Sequence, residues 1–432
     1  MNISVVIPVR NRPGCIRWTL SSLCSQRGAG DFEVVVVDDG SIDNTPGVVE
    51  EFRDRLTIKF LRNGVNRGRS FSRNRGAEAA DGDYLLLLDS DSFVRQDLVS
   101  RHQRCHATWS GEVVMGRRIE IGWWSMRELA LKGEVEKPQC YEGDQRDSWG
   151  LSEVDPNYID RTPWLFAATH NLSLPRDLLT EVGGFDEGFR RWGYEDNEFA
   201  YKVFQRFGRE SGHFWYEPEA VCYHMPHFRD WYDEWENTKP LLARIKDSHR
   251  HFDMELLNHP PNHLRIAQTI PYYEQCIAHV RDNSARTAVQ AVQSALPVPA
   301  GEHLWIGCGT DALGPAPGVL RFDHAEPHGP DNPHLLGMAL PFPDSSLSAL
   351  INVDLWRLLT PLDLSAFVME ATRAAEVVYL AMSKDIGDEP ARALGLMSSF
   401  DYLAEMLSGF YTVDKCHDGP AVSIAKISRA AP

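Results

Sequence analysis

The sequence predicts an α/β protein organised around a parallel sheet, and three observations carry that prediction. Short apolar, β-branched runs recur, each closed by Pro, Gly or Asp. Between them lie stretches whose apolar residues fall at helical spacing. The two kinds of segment alternate four times before residue 93, at the spacing of βα units.

Residues 3–9, ISVVIPV, read as a strand buried on both faces. Ile16, Leu20 and Leu23 share one face of a helix over residues 14–26. FEVVVVDDGS (32–41) is a second strand that runs into two aspartates and a Gly-Ser turn. Residues 43–54 form the next helix and LTIKFLRN (56–63) the third strand. SFSRNRGAEAA (70–80) is helical, and GDYLLLLDSDS (82–92) is the fourth strand. Residues 112–165, rich in Trp, Glu and Asp, show no clean period, and order returns over 165–225. Residues 228–258 and 264–296 read as charged helices, LPVPAG (296–301) as a linker, and HLWIGCGT (303–310) opens a further α/β segment. Three parts are therefore expected: 1–228, a helical extension over 229–297, and a small Rossmann-like domain over 298–432.

The 432 residues carry a formal net charge of −17, which argues against a nucleic-acid partner held through its phosphates. No apolar run reaches the roughly 18–20 residues of a membrane span, and ISVVIPV reads as structure rather than as a leader. The eight cysteines are scattered and form no CxxC pair, so they read as reduced thiols in a cytoplasmic protein.

In parallel sheets ligands bind at the carboxyl ends of the strands. Pro8–Arg10, Asp38–Ser41 and Asp89–Asp91 all lie there, and their convergence on one edge is expected. Asp89 and Asp91 point to one face of their strand. Carboxylates that close repel unless a cation lies between them, and Mg²⁺ or Mn²⁺ would also take phosphate oxygens. A solvated turn is the plainer reading of Asp-x-Asp taken alone. Asp38 and Asp39 can accept from a base N–H or a ribose hydroxyl, or simply build a turn that Ser41 or Asp43 caps. NRGRSFSRNRG (66–76) supplies Arg67, Arg69, Arg73 and Arg75, suited to diphosphate oxygens or to a solvated helix face.

Read together, SVVIPVRNR, VVVVDDGSIDNT and NRGRSFSRNRGAEAADGDYLLLLDSDS resemble the inverting family 2 glycosyltransferases, over about residues 1–228. The resemblance implies a GT-A fold with a Rossmann-like mixed sheet, a nucleotide-diphosphate sugar donor, UDP-linked first of all, and Mn²⁺ or Mg²⁺. It implies that Asp39 or Asp38 contacts the base and that Arg73 lies near the nucleotide. Asp91 would bind the metal, with Asp89 and Ser90 beside the sugar and ribose. Pro8, Val9, Arg10, Asn66 and Gly68 would line the donor. NLSLPRDLLTEVGGFDEGFRRWGYEDNEFAYKVFQRFG (171–208) resembles the acceptor side of this family and of β-galactosyltransferase-like relatives. An inverting transfer needs a base to take the acceptor's proton, and the resemblance places it at Asp196, with Glu195 beside it. Acidic residues at a helix N-terminus are also favoured by the dipole alone. In EAVCYHMPH (219–227), His224 stands where relatives supply a further metal ligand, and His227 is a second candidate. Trp192 beside Gly193 could stack on an acceptor sugar. Trp123, Trp124 and Trp164 are further candidates for such a wall, with core packing as the other use of an indole.

HLWIGCGTDALG (303–314), LRFDHAEPH and GMALPFPDSSLSALINVDLWRLL resemble a class I methyltransferase in motif order, with departures. Trp305 stands at the first acidic position, Asp311 at the third glycine, and Gly337 or Met338 at a second acidic position. Asp323 alone remains as a ribose acceptor. A degenerate domain used for packing, homodimerisation or acceptor docking is expected. The acceptor, a saccharide, lipid, natural product or peptide hydroxyl or thiol, is not chosen by the sequence. Three competing readings are S-adenosylmethionine-dependent methyl transfer, a non-catalytic carbohydrate-binding scaffold, and sugar-1-phosphate nucleotidyl transfer. The last would call for a Gly-rich basic loop after the first strand, of which PVRNRPG is a poor version.

Overall fold

The computed structural model describes residues 2–109, 112–132, 161–191, 193–227, 231–258, 262–283 and 285–430. The chain divides into two units, Met1–Leu241 and Leu242–Pro432. The helices expected as a separate extension therefore belong, from residue 242 onward, to the second unit.

In the first unit, four strands form a parallel half-sheet: β1 (Ile3–Val9), β2 (Phe32–Asp38), β3 (Ile58–Arg62) and β4 (Tyr84–Leu88), in the order β3-β2-β1-β4. Helices α1 (Pro13–Leu23), α2 (Thr45–Glu50) and α3 (Arg69–Ala79) connect them. The apolar runs are buried as expected: Val5, Val6, Ile7, Val34–Val37 and Leu85–Leu87 have no exposed surface. Gly76 lets α3 lie close to this half-sheet, since a Cβ there would come within 2.4 Å of Val6 Cγ1.

Beyond β4 the sheet turns mixed. β7 (Asn171–Pro175) runs antiparallel to β4, followed by β6 (Val113–Glu120), β8 (Phe214–His224) and the short β5 (Ser92–Val94). Two registers matter for function. Val9 pairs with Asp38, and His224 sits between Glu120 on β6 and Ser92 on β5. Helix α4 (Leu98–Thr108), the short α5 (Trp123–Lys132) and α6 (Arg176–Glu181), and α7 (Glu195–Arg206) complete the unit.

The helix α8 (Trp231–Ser248) runs across the division between the units. The second unit holds the helices α9 (Phe252–Glu255), α10 (His263–Asn283) and α11 (Ala285–Ala295). It also holds a six-stranded sheet with order β10-β9-β11-β12-β14-β13. Its strands are β9 (His303–Gly307), β10 (Val319–Asp323), β11 (Ala349–Val353), β12 (Val378–Ser383), β13 (Tyr411–Asp418) and β14 (Val422–Arg429). The first four are mutually parallel, and β14 runs antiparallel to both of its neighbours, β12 and β13. Trp305, Ile351, Val353, Ala381 and Ile424 share its core with Val289 and Val292 of α11. Among the described residues, no helix is long and apolar enough to cross a membrane. The seven described cysteines are free thiols.

Both units bury neutral imidazoles. Burial pushes His102 and His263 down to about 4, and His106 and His324 to about 3, from 6.5. These histidines stay neutral in the fold, whereas the unfolded chain protonates them below about pH 6.5. Their contribution is complete above that pH and is lost as pH falls toward their folded values. Stability should therefore drop, by on the order of a few kcal/mol, between about pH 6.5 and 4, above the range where paired carboxylates titrate. Denaturant midpoints at pH 7, 6, 5 and 4.5 test this, and a flat series would contradict it.

Candidate functional site

The carboxyl ends of β1, β2 and β4 meet as the topology requires, and three clusters form there.

The first surrounds Asp39. Its backbone N–H donates to the Val9 carbonyl at 2.8 Å. Its carboxylate accepts from Asn63 Nδ2 (2.8 Å) and from the backbone N–H groups of Arg67 (2.8 Å) and Gly68 (2.9 Å). Gly68 takes φ +92°, and a Cβ there would press on the Arg190 backbone at 3.0 Å, so glycine suits the turn. Asn66 Oδ1 accepts from the same Gly68 N–H at 3.1 Å. Asp38, the other candidate for the base, is placed differently. Its side chain is fully buried, and its oxygens are taken by Arg62 Nε (3.0 Å) and the Ser41 N–H (2.9 Å), which brace the loop. Val9 is likewise in the core, Pro8 is half-buried and Arg10 is exposed.

The second cluster centres on Arg73. Arg73 is 1% exposed and points inward, into three carboxylates: Asp89 Oδ1 (3.0 Å), Asp196 Oδ1 (3.1 Å) and Glu195 Oε1 (3.3 Å). Its guanidinium lies 5.3 Å from the centre of the Phe185 ring, and Arg69 reaches Glu195 at 3.4 Å. Arg73 thereby ties the end of β4 to the first turn of α7. Burial raises the Asp89 pKa, but the attraction of Arg73, then of Arg69, outweighs it and pulls the carboxyl down to about 2. Asp196 goes the other way. Burial and the neighbouring Glu195 and Asp89 charges raise its pKa against the pull of Arg73. Thr169, which sequence reasoning missed, holds Asp196 from two sides: Oγ1 donates to Oδ1 at 2.6 Å and the backbone N–H to Oδ2 at 3.2 Å. Gly193, at φ +116°, donates its N–H to Glu195 Oε2 at 3.1 Å.

The third cluster joins Asp91, His224 and His227, whose ligand atoms all lie within 4.8 Å of one another. His227 Nδ1 is 3.1 Å from Asp91 Oδ2, and His224 Nε2 is 3.5 Å from Oδ1. Arg12 approaches Oδ2 at 3.7 Å. Asp91 Oδ1 is buried without a hydrogen-bond partner. A buried carboxylate with one imidazole at each oxygen is a donor set that suits a divalent cation. Ser90 is buried beside it, and its carbonyl accepts from Thr19 Oγ1 at 2.8 Å.

Of the tryptophans, Trp164 is fully buried and packs edge-on against Tyr201 at 5.0 Å, so it belongs to the core. Trp123 is exposed. Trp192 lies outside the described residues, and the Trp124 side chain is not among the described ones either.

The ligand edge of the second sheet is occupied by its own chain. Asp323 accepts from the N–H groups of Gly309, Asp311 and Ala325 and from Thr310 Oγ1, at 2.8–3.0 Å. The loop containing Gly337 is held by Glu255, which accepts from the N–H groups of Leu336, Gly337 and Ala339. Trp305 lies in the core.

Residues 4–152 match the family described as "Glycosyl transferase family 2". Residues 4–152 of the first unit are thus similar to family 2 glycosyltransferases. Residues 161–214 match a second family, "N-terminal domain of galactosyltransferase", across β7, α7 and the Asp196 cluster. The sheet of the first unit is mixed α/β, as expected. Among curated relatives, the uncharacterised glycosyltransferase YfnE of Bacillus subtilis is 31% identical over 238 residues, which is 48% of this chain and 61% of that protein. The chondroitin synthase of Escherichia coli is 30% identical over 52% of this chain and 34% of its own length. The validoxylamine A glucosyltransferase of Streptomyces hygroscopicus is 33% identical over 46% and 51%. The chain thus spans less than two thirds of each of these relatives. The crystal structure of Staphylococcus aureus TarS residues 1–349 aligns with a TM-score of 0.42 at 20% identity, covering 57% of this chain and 65% of that one.

Proposed function

We propose that the chain is an inverting, metal-dependent glycosyltransferase that moves a sugar from a nucleoside diphosphate, UDP first of all, to a hydroxyl or thiol of a saccharide, natural product or peptide. The observation that carries this reading is the approach of Asp196 to the Asp89 end of β4. An oriented carboxylate of raised pKa and a cluster suited to a cation share one strand edge.

Asp39 and the Asn66–Gly68 turn shape the base end of the donor site, and Asp89 and Ser90 flank its ribose and sugar. Asp91, His224 and His227 would hold Mn²⁺ or Mg²⁺, which when bound neutralises charge on the diphosphate leaving group. Asp196 Oδ1 is tied by Arg73 and Thr169, while Oδ2 accepts only the longer bond from the Thr169 N–H, so Oδ2 takes the acceptor's proton. The acceptor oxygen or sulfur then bonds the anomeric carbon from the face opposite the diphosphate. The bond from that carbon to the diphosphate oxygen breaks, and its electron pair leaves with the nucleoside diphosphate. The raised pKa of Asp196 suits it to hold that proton.

The second unit acts as a degenerate methyltransferase-like domain that docks or packs. The saturated Asp323 carboxylate supports this over methyl transfer, because a cofactor ribose would have to displace four protein donors.

The test is calorimetric titration of the full chain with UDP in Mn²⁺ and in EDTA, with S-adenosylhomocysteine in parallel. Mn²⁺-dependent UDP binding and silence toward S-adenosylhomocysteine are expected. Binding of S-adenosylhomocysteine without UDP would place the activity in the other unit.

A further inference from the structure

We infer that Glu120 is a positioning residue for the metal cluster, one that fixes the tautomer and direction of His224. The inference rests on the metal-dependent reading above. Glu120 and His224 are the last residues of β6 and β8, and the register sets them directly opposite each other. Glu120 Oε2 lies 2.7 Å from His224 Nδ1. A carboxylate only accepts, so Nδ1 carries the proton, and the Nε2 lone pair is aimed at Asp91. The other Glu120 oxygen pairs with Arg118, which fixes the carboxylate in turn.

The consequence is on the far side of the ring. Nε2 faces Asp91 Oδ1 at 3.5 Å, too far for a hydrogen bond, and that oxygen is buried without a partner. A divalent cation held between Nε2 and Oδ1 would satisfy both. A carboxylate behind a ligating imidazole orients the ring and raises its basicity. Nothing in the sequence marks Glu120 for this task. It lies in the stretch before α5, more than 100 residues from His224 in the chain, and only the pairing of β6 with β8 joins them.

The test uses Mn²⁺ binding by the full chain, followed by electron paramagnetic resonance without donor or acceptor. Glu120→Ala should weaken Mn²⁺ binding about 10- to 100-fold. Glu120→Gln, whose amide oxygen still accepts from Nδ1, should recover most of that loss. The thermal transition, measured in EDTA, should stay at the wild-type value. If Glu120→Ala does not fold, Glu120→Asp, with its carboxylate drawn back by one methylene, should weaken Mn²⁺ binding instead. Three outcomes overturn the inference. Glu120→Ala equal to wild type, with Mn²⁺ lost in His224→Ala, would leave the metal reading standing and make Glu120 only the partner of Arg118. Glu120→Gln as weak as Glu120→Ala would assign the effect to charge, not orientation. A wild-type chain that binds no Mn²⁺, or binds it as well as His224→Ala, removes the metal reading and this inference with it.

Discussion

Asp196→Asn should lower sugar transfer by about 10²- to 10⁴-fold while leaving UDP binding unchanged. The amide cannot take a proton, so the loss should appear in kcat. Its oxygen can still accept from Arg73 and from Thr169 Oγ1, the two contacts that fix the wild-type carboxylate at 3.1 and 2.6 Å. The geometry of the first turn of α7 should therefore survive. The pH profile adds an independent reading. A base works only when deprotonated, so the wild-type rate should fall as pH drops through the Asp196 pKa, which burial, Glu195 and Asp89 hold above the ordinary 3.8. In Asp196→Asn that acid limb should vanish along with the rate. Near-wild-type turnover, or an unchanged acid limb, would assign the base elsewhere.

What the sequence discloses and what it hides divide along a physical line. Strand ends were readable, because a buried run such as Leu85–Leu88 must stop where polar groups begin, and an α/β sheet puts its ligands there. Asp91 and His224 lie 133 positions apart yet form one cluster; Asp91 was marked by its strand end and His224 by the family resemblance alone. Side-chain direction was not readable. Arg73 sits among four arginines of one helix segment, and only packing decides that it turns inward while Arg75 bonds Asn63. Asp38 and Asp39 are adjacent and chemically identical, and the difference between them is the Arg62 guanidinium, supplied by the neighbouring strand. Thr169 and Glu120 belong to the part of the sheet with mixed strand directions, where pairing joins distant segments and no local period announces it. In the second unit, the alternation of strands and helices was legible. That Asp323 is saturated by its own turn depends on backbone N–H directions, which the sequence does not carry.

Arg73→Met should destabilise the first unit by about 3 kcal/mol, the low end of the cost of breaking a buried ion pair. The low end applies because the Asp89 and Asp196 side chains each keep 27% exposure and can recruit water, whereas Glu195, at 4%, cannot. For a unit of this size the thermal transition should fall by about 6–12 °C. Methionine retains most of the packing over Phe185, so a charge effect can be separated from a cavity effect by pH. Without the guanidinium, Asp89, Glu195 and Asp196 repel one another when all are ionised. Protonation relieves that repulsion, so the deficit relative to wild type should be largest near pH 8 and should shrink toward pH 5. Arg73 also lowers the Asp196 pKa, and its removal should move the acid limb of any remaining activity to higher pH. Arg73→Lys should fall in between, since a point charge cannot serve three carboxylates spread over the faces of a planar fork. An equal deficit at pH 5 and pH 8 would make Arg73 a packing residue over Phe185, and the coupling between the end of β4 and the start of α7 would then have to come from backbone contacts alone.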